Sequence, residues 1–403
     1  MWLFSILYSI IGIYCLFYAV YNTINLLAGV LWLHNKRKAI GGADTSNLEW
    51  VVFLPAYKPN ERLLEALKVI RRASFDGTLH IYVLFQDADQ RIVKQAQAFG
   101  CIIEQKSFSH VQGNPYHEAL RHMAGTLKKW VGEGLLNPSH IVLLDKDNLV
   151  DVGFFSKAAL YTDDYEIVQG CRKPLSTSSA GAVYDAMAES LNDTMLRASK
   201  MLQRSCPEFS GSGIVFPVET FNYLVNHLDG RAPGMDKNLM IQLLLRNLPV
   251  KVAYVPEAML YEEKTDDLEA LKRQRVRWFG NQYFNAIYYG KKLFKKGGQK
   301  ALDYLLALYR PPRSVHWLLA LVGAALEVIF LWNASWVPFP FFTISFLTIA
   351  LGVLAFVLEA PRRMNSFFRL IIFAPILAWN NLISAFKGVQ KKSQGKFIHT
   401  RDA

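Results

Sequence analysis

The chain has 403 residues, enough for one large domain or two ordinary ones. Hydrophobic residues make up 52% of it and charged residues only 19%, which is apolar for a soluble protein. The net charge of +12 could suggest nucleic acid, but many basic residues flank apolar stretches, where anionic lipid headgroups explain them more simply. The four cysteines have neither metal-ligand nor paired spacing, so we expect reduced thiols. We therefore predict a membrane protein with lipid contacts and no nucleic-acid partner.

An uncharged stretch opens the chain. Residues 2–33 contain no Asp, Glu, Lys or Arg, and Lys36 is the first of these. About 20 helical residues cross the hydrocarbon core, so one tilted span fits. A signal peptide would need a basic start, a shorter apolar run and a small-residue cleavage site, so we predict an uncleaved anchor at residues 1–34. Lys36, Arg37 and Lys38 follow, which predicts that the next domain lies in the cytoplasm, at the plasma membrane.

Three more apolar stretches close the chain, at residues 316–332, 337–358 and 367–386. The first two predict a helical hairpin through the bilayer. The third has positive charge at both ends, so a crossing and a segment that lies in the interface fit it equally well. We place the C-terminal membrane helices at residues 314–388 and a cytoplasmic tail at residues 389–403. Glu327, inside the first stretch, either faces an aqueous path or pairs with a polar neighbour.

The middle of the chain, residues 35–270, predicts an α/β domain. Short apolar runs rich in strand formers alternate with segments of helical periodicity: strands at residues 51–54, 81–85, 101–103, 141–144 and 167–168, and helices at residues 61–72 and 91–99. This alternation predicts a mostly parallel sheet, whose ligands bind at the carboxyl ends of the strands. The residues at such ends are Pro55, Tyr57, Asp87, Asp145 and Asp147. The sequence has neither of the two common Gly-rich phosphate loops.

Asp145 and Asp147 follow the fourth of these strands. Alternate residues of an extended backbone point the same way, so both carboxylates can hold Mn²⁺ or Mg²⁺ and leave positions open for a diphosphate. Such pairs also occur in solvated turns, but the buried strand before this one favours a metal site.

The order of the motifs resembles that of the processive, membrane-bound family 2 glycosyltransferases, which include cellulose, chitin and hyaluronan synthases. The resemblance covers about residues 48–280. It is carried by residues 54–61, Asp87, Asp145 with Asp147, residues 210–216, residues 234–239, residues 254–258, and the Gln-x-x-Arg-Trp run of Gln274, Arg277 and Trp278. It implies a glycosyltransferase A-type α/β fold, a mostly parallel sheet domain inserted between transmembrane helices, with Mn²⁺ or Mg²⁺ as cofactor.

The resemblance also implies a role for each motif. Asp236 is the implied general base, which takes the proton of the acceptor hydroxyl during an inverting displacement. Gln274 and Arg277 would contact the acceptor and the departing diphosphate, and Trp278 would stack on a sugar ring. The implied donor-binding residues are Pro55, Tyr57, Asp87 and Asp145, the metal ligands are Asp145 and Asp147, and the acceptor-binding residues are Gly211, Ser212, Gly213 and Trp278.

Simpler interpretations exist for two of these motifs. Asp236 precedes an apolar helical run and fits a carboxylate at a helix N-terminus. Residues 271–313 fit amphipathic helices at the membrane interface, where we expect Lys272, Arg273 and Arg275 to lie at headgroup level.

Several positions depart from the family pattern. Gln86 and Met235 stand where acidic residues are usual, and Lys146 is unusual inside the metal motif. The usual glycine-lysine step is replaced, so the fixed positive charge is gone, although Asn114 or His117 could donate hydrogen bonds to the nucleotide instead. Residues 397–401 resemble only loosely the family's closing segment.

Three functions fit this pattern. The first is a polymerising synthase that transfers sugar from a nucleotide sugar, with UDP-sugar expected, to a polysaccharide at the cytoplasmic face, together with export. The second is transfer of a single sugar to a lipid-linked acceptor, which the small number of membrane segments favours. The third is a non-catalytic synthase subunit. A homo-oligomer or an export partner would be needed to complete a wide channel.

Overall fold

The computed structural model describes residues 2–36, 44–177, 179–264, 268–332, 339–359 and 362–390. The strands are β1 (Glu49–Tyr57), β2 (Thr78–Gln86), β3 (Ile102–Gln105), β4 (His140–Leu143), β5 (Leu149–Val150), β6 (Ile167–Pro174), β7 (Ile214–Pro217) and β8 (Val252–Glu262). The first nine helices are α1 (Trp2–Asn35), α2 (Glu61–Arg72), α3 (Gln90–Gln97), α4 (Pro115–Gly132), α5 (Phe154–Ala159), α6 (Ala180–Asn192), α7 (Ser199–Leu202), α8 (Val218–Asn226) and α9 (Met235–Leu245). The remaining helices are α10 (Leu268–Lys296), α11 (Gln299–Tyr309), α12 (Arg313–Trp332), α13 (Phe341–Glu359) and α14 (Arg362–Val389). A π-helical segment, Asp193–Ala198, joins α6 to α7, and the tail motif at residues 397–401 lies outside the described residues.

One eight-stranded sheet organises the domain, in the order β3-β2-β1-β4-β7-β6-β8-β5. Strands β3, β2, β1 and β4 pair in parallel, as do β6 and β8. Strands β7 and β5 run antiparallel to their neighbours. The predicted mostly parallel α/β sheet is therefore confirmed. Phe53 of β1 lies opposite Leu143 of β4, so the ends of these strands, with Tyr57 and Asp145, meet at one edge.

Side chains of β1 alternate between two cores. Val51 and Phe53 pack with residues of α4, α8, α9, α10 and α11, whereas Trp50, Val52 and Leu54 pack with residues of α2, α3 and α5. All five side chains are fully buried, which explains why the sequence of this strand is a continuous apolar run. The helices α10 and α11, predicted as interface helices, thus contribute to the same core as the sheet.

Three helices of the described chain are long and apolar enough to cross a membrane: Ser5–Asn35, Arg313–Phe330 and Phe341–Glu359. They coincide with three of the four apolar stretches in the sequence. The fourth stretch lies in α14, which packs against α10. The two helices touch through glycines, since a Cβ on Gly388 would lie 2.7 Å from the backbone nitrogen of Gly280.

Helix α1 is also bound to the α/β domain. At about 1.5 Å per residue its length exceeds the roughly 30 Å thickness of a hydrocarbon core, and its C-terminal turns contact the domain. There Asn25 Oδ1 accepts a hydrogen bond of 2.7 Å from Lys200 Nζ. The backbone of Gly29 runs against the π-helical segment, where a Cβ would lie 2.0 Å from the carbonyl oxygen of Thr194. Any larger residue at Gly29 would force these two segments apart.

Glu327 has a structural role between the apolar helices. Its carboxylate accepts hydrogen bonds from the backbone N–H groups of Phe342 at 3.0 Å and Thr343 at 2.8 Å, in the first turn of α13. The hydroxyls of Thr343 and Tyr8 donate to it as well. Of the two alternatives for this carboxylate, the structure supports pairing with polar neighbours, because these donors satisfy the free N–H groups of a helix start.

Candidate functional site

A cavity of 1110 Å³ opens at the carboxyl ends of the sheet strands and continues between the apolar helices. Its polar end is lined by Pro55, Tyr57, Gln86, Asp145, Asp147, Asp236, Gln274 and Arg277. Its other end is lined by side chains of α12 and α13, namely Trp317, Leu318, Leu321, Phe346, Ile349, Val353, Leu354 and Val357. The same cavity therefore extends from the predicted site residues to the helices predicted to cross the membrane.

The predicted metal motif follows β4 in a tight turn. Asn148 Oδ1 accepts a hydrogen bond of 3.0 Å from the backbone nitrogen of Asp145 and fixes this turn. Lys146 donates from Nζ to the carbonyl oxygens of Tyr57 and, at 3.0 Å, Lys58. The lysine that is unusual in this motif thus ties the turn to the end of β1.

The electrostatics of Asp145 suit a cation. Burial and then the charge of Asp147 raise the pKa of Asp145 to about 7, although Arg172 and Arg277 act in the opposite direction. Two half-buried carboxylates that repel each other fit a divalent metal with oxygen ligands. The described residues contain no cluster of three His, Cys, Asp or Glu side chains around a metal position. The donor diphosphate or water would have to complete the coordination.

Asp236 lies in the first turn of α9 and also lines the cavity. Its Oδ1 accepts a hydrogen bond of 2.7 Å from Asn281 Nδ2 of α10. A Cβ on Gly234 would lie 2.8 Å from that same amide nitrogen, so the glycine leaves the space through which Asn281 reaches the carboxylate. The helix start and the predicted base position therefore coincide.

Asn281 is the last member of a buried chain of amides. Asn238 Nδ2 donates to Asn285 Oδ1 at 2.8 Å, and Asn285 Nδ2 donates to Asn281 Oδ1 at 2.9 Å. The chain starts at the backbone nitrogen of Asp229, which donates to Asn238 Oδ1 at 2.9 Å. Each amide thus has a defined orientation, and the chain joins α9 to α10. None of these asparagines was predicted from the sequence.

The Gln-x-x-Arg-Trp motif lies on α10 and faces the cavity. Burial lowers the pKa of Arg277, while Asp236 and Asp145 oppose this shift, so its guanidinium lies near both carboxylates. Gln274 Oε1 is buried and accepts no hydrogen bond from the residues that the structure describes. A ligand hydroxyl is a suitable donor for it. Trp278 also lines the cavity, as expected for a stacking surface.

The position of Arg275 differs from the one expected from the sequence. The side chain is buried rather than at headgroup level, and its Nη2 donates to Asp185 Oδ1 at 2.9 Å. Its guanidinium lies 4.3 Å from the ring centre of Trp278. Arg275 therefore fixes the orientation of the tryptophan from inside the cavity wall.

The other predicted contact residues divide into two groups. Pro55, Tyr57 and Gly211 line the cavity, and Gly211 has open space where a side chain would project. Asp87 is exposed and lies outside the cavity lining. Ser212 and Gly213 are buried behind the wall, where a Cβ on Gly213 would lie 2.3 Å from Leu260 Cδ2. The predicted binding roles of these residues remain predictions.

Asn114 and His117 do not replace the missing lysine in the structure. Both are buried, and neither lines the cavity. Asn114 Oδ1 caps α4 by accepting from Tyr116 N at 3.0 Å, and its Nδ2 donates to the carbonyl oxygen of Ala232 at 3.1 Å. Burial lowers the pKa of His117 to about 3, so its ring is neutral. These internal contacts argue against the expected hydrogen bonds to a nucleotide, because both groups support the fold.

The chain was compared with known proteins. Residues 140–380 match the family described as Glycosyl transferase family group 2, which is more than half of the chain. The chain belongs to this family. It is accordingly a nucleotide-sugar glycosyltransferase of the family 2 type. The sequence matches none of the curated proteins with which it was compared.

Solved structures support the glycosyltransferase A-type fold. A mannosyltransferase from Pyrobaculum calidifontis, in complex with GDP-Man and Mn²⁺, is 14% identical with a TM-score of 0.55, and the match covers 95% of this chain and 98% of that one. S. aureus TarS in complex with UDP is 12% identical, with a TM-score of 0.42 and coverages of 87% and 93%. A glucosyl-3-phosphoglycerate synthase from Mycobacterium tuberculosis is 17% identical, with a TM-score of 0.40 and coverages of 61% and 84%. The fold comparison rests on the mannosyltransferase.

Proposed function

We propose that this glycosyltransferase moves a sugar from a nucleoside diphosphate sugar to an acceptor with a lipid tail, with inversion at the anomeric carbon. The observation that carries the proposal is the continuous cavity, which has Asp145, Asp147 and Asp236 at one end and apolar side chains of α12 and α13 at the other. A lipid acceptor fits both ends, since its head would meet the carboxylates and its tail the apolar wall.

In the proposed reaction an acceptor oxygen attacks the anomeric carbon of the donor sugar. As the new carbon–oxygen bond forms, the bond to the diphosphate oxygen breaks, and its electron pair leaves with the nucleoside diphosphate. The proton of the acceptor hydroxyl moves to Asp236, which Asn281 holds in place. Arg277 lies near both Asp236 and Asp145 and is placed to stabilise negative charge on the diphosphate.

Asp145 and Asp147 are the residues that would hold Mn²⁺ or Mg²⁺. When bound, the cation neutralises charge on the leaving group. The mannosyltransferase of similar fold binds Mn²⁺ and GDP-Man, which supports a divalent metal with a nucleotide sugar here. Tyr57 and Pro55 at the end of β1 border the part of the cavity assigned to the donor.

The cytoplasmic face is the proposed location of the reaction. The basic residues Lys36, Arg37 and Lys38 follow the N-terminal apolar helix and favour that side. The same membrane side would expose the site to nucleotide sugars.

A polymerising synthase is the second candidate. Two tryptophans, Trp278 and Trp317, line the same cavity and offer flat surfaces for successive sugar rings. However, the wall between α12 and α13 is mainly aliphatic, with Leu321, Ile349 and Val353, whereas a polysaccharide presents many hydroxyls that need polar partners. The lipid acceptor therefore has the stronger support.

The test is transfer by the purified full chain in lipid, with Mn²⁺ or Mg²⁺ and a panel of radiolabelled nucleotide sugars. We expect label to enter an organic-extractable product with one donor. We expect Asp236→Asn to remove it, and the control Asp89→Asn, at the cap of α3, to retain it. Label in a water-soluble polymer of high mass would instead support the second candidate. No nucleoside diphosphate release with any donor would contradict both.

A further inference from the structure

Three arginines lie in the part of the cavity wall that precedes the apolar end. Arg275 is on α10, Arg310 follows α11, and Arg313 is the first residue of α12; all three line the cavity. We refer to them as the throat arginines. They lie close enough together for Arg310 and Arg275 to interact electrostatically with Arg313. The arginines whose charges act on Asp145 are Arg172 and Arg277 instead.

Two of the throat arginines have carboxylate partners. Arg275 pairs with Asp185 at 2.9 Å. Arg310 Nη1 lies 3.3 Å from Glu208, and Lys237 shares that same carboxylate at 3.2 Å. Burial alone would raise the pKa of Glu208, but Lys237 and Arg310 outweigh it and lower the pKa to about 2, so Glu208 stays charged.

Among the residues that the structure describes, no carboxylate lies within ion-pair distance of Arg313. Glu189 acts on it electrostatically, but this carboxylate pairs with Arg172 at 3.2 Å and Arg197 at 2.8 Å. Arg313 Nη2 donates to the side-chain oxygen of Asn192 at 2.8 Å and to the carbonyl oxygen of Ala188 at 3.2 Å. Its Nη1 lies 3.7 Å from Met195 Sδ. Of Arg275, Arg310, Lys237 and Arg313, only Arg313 thus lacks an ion-pair partner among the described residues. A half-buried cation without such a partner is costly, and its position is suited to a bound anion.

These contacts also argue against an arginine that merely lies at a membrane surface. Such a side chain extends toward headgroups and water. Arg313 instead points toward the last turn of α6 and the π-helical segment, inside the domain. The planar guanidinium is well suited to phosphate oxygens, with two parallel N–H donors.

The face of α12 extends the same path. Arg313, Trp317 and Leu321 are spaced by four residues, lie on one side of the helix, and all line the cavity. Along this face a cationic group is followed by an aromatic ring and then by an aliphatic side chain. An amphiphile with an anionic head and an apolar tail matches this order.

We propose that the throat arginines bind a phosphate-type anion of the acceptor lipid, located between its apolar tail and the hydroxyl that Asp236 activates. This inference rests on the proposed function and specifies its acceptor class. The anion is bound and not consumed, so the transfer chemistry is unchanged. The proposed reaction assigns the donor diphosphate to other residues, Asp145 and Arg277.

Binding without donor tests the inference independently of turnover. The full chain in nanodiscs of neutral phosphatidylcholine is titrated with farnesyl phosphate and, in parallel, with farnesol, and tryptophan fluorescence is recorded. We expect about ten-fold or more tighter binding of the phosphate, as for a charge-assisted pair. Arg313→Gln should remove most of this preference. The control Arg91→Gln, on exposed α3, should retain it. Equal binding of the two lipids by the wild type would overturn the inference.

Asn192→Asp provides a second variant in case Arg313→Gln does not fold. It keeps the shape of the side chain but supplies Arg313 with a carboxylate, so it should weaken binding of farnesyl phosphate and not of farnesol. An unchanged preference in Asn192→Asp, with nucleotide binding as the check of folding, would contradict the inference. Inorganic phosphate is the final arm. If it displaces farnesyl phosphate at similar concentrations, the site binds free phosphate and the assignment to a lipid is wrong.

The proposed function and this inference fail in different ways. Transfer to farnesol-type acceptors with no preference for phosphate would retain the function and reject the anion site. Preferential binding of the phosphate without transfer to any lipid would retain the anion site and reject the proposed reaction.

Discussion

Asn281 and Asp236 are 45 positions apart in the chain, yet a hydrogen bond of 2.7 Å joins the amide nitrogen of the first to the carboxylate of the second. The contact connects α10, which carries the Gln-x-x-Arg-Trp motif, with α9, which carries the proposed base. A single amide therefore aligns the two parts of the candidate site.

Replacement of Asn281 by Ala should reduce kcat more than it changes the KM for the donor. The carboxylate of Asp236 would lose the hydrogen bond that holds it in place. A misplacement of about 1 Å can reduce a rate by about 100-fold. Steady-state kinetics with the donor that the transfer assay identifies checks this. Asn226→Ala, at the exposed end of α8, is the control and should behave as the wild type. A loss confined to KM would assign Asn281 to donor binding instead.

Gly234→Ala should have an effect similar to that of Asn281→Ala. The added methyl group would lie 2.8 Å from Asn281 Nδ2 and would displace the amide from Asp236. Combining both substitutions should cost little more than either one, because each removes the same contact. The double-mutant cycle in kcat provides the measurement. Fully additive losses would show that Gly234 acts through another group.

Metal binding should depend on pH near neutrality. Since burial and Asp147 raise the pKa of Asp145 to about 7, protons compete with the metal below that pH. Apparent Mn²⁺ affinity, measured by titration with nucleotide present, should increase from pH 6 to 7 and level off above about pH 7.5. Asp147→Asn should move the change to lower pH, because it removes the repelling charge.

The same shift has a consequence for stability. Without metal, folded Asp145 keeps a proton that the unfolded chain loses between its usual pKa of 3.8 and about 7. Its contribution to stability is therefore present at low pH and is lost as pH rises through this interval. The Tm of Asp145→Asn should lack that contribution. An unchanged slope of Tm against pH in this variant would contradict the pKa assignment.

Glu327→Leu should destabilise the helical pair formed by α12 and α13. It would leave the N–H groups of Phe342 and Thr343 without their acceptor, at a cost of about 1–3 kcal/mol for each unsatisfied buried group. Thermal unfolding in detergent measures the effect. Glu327→Gln keeps an acceptor oxygen and should lose less. If both variants unfold at the same temperature as the wild type, these hydrogen bonds contribute nothing to stability.

Local patterns predicted most of the fold. The helix at residues 61–72 has the predicted bounds, and β1, β2 and β6 contain the strands predicted at residues 51–54, 81–85 and 167–168, because buried parallel strands are continuous apolar runs. The positions of Asp145, Asp236 and Arg277 around one cavity also agree with the motif order.

Contacts between distant elements could not be predicted in this way. Asn285 and Asn281 are ordinary polar residues on a helix until α9 packs against them. Arg275 resembles its basic neighbours, and only Asp185, 90 positions away, explains why it is buried. Asn114 and His117 had the right chemistry for a ligand, but the cap of α4 uses the first and burial makes the second neutral.

The attachment of α1 to the domain also determines how far the carboxylates would lie from a bilayer. Through Asn25 and Gly29 the helix is attached to the same body that carries the sheet, without a flexible joint at these contacts. With α1 in a bilayer, the carboxylates would stand at a constant height above the lipid. An acceptor would then react only if its hydroxyl extends to that height. The attachment of α1 would therefore select acceptors by the length of their head group.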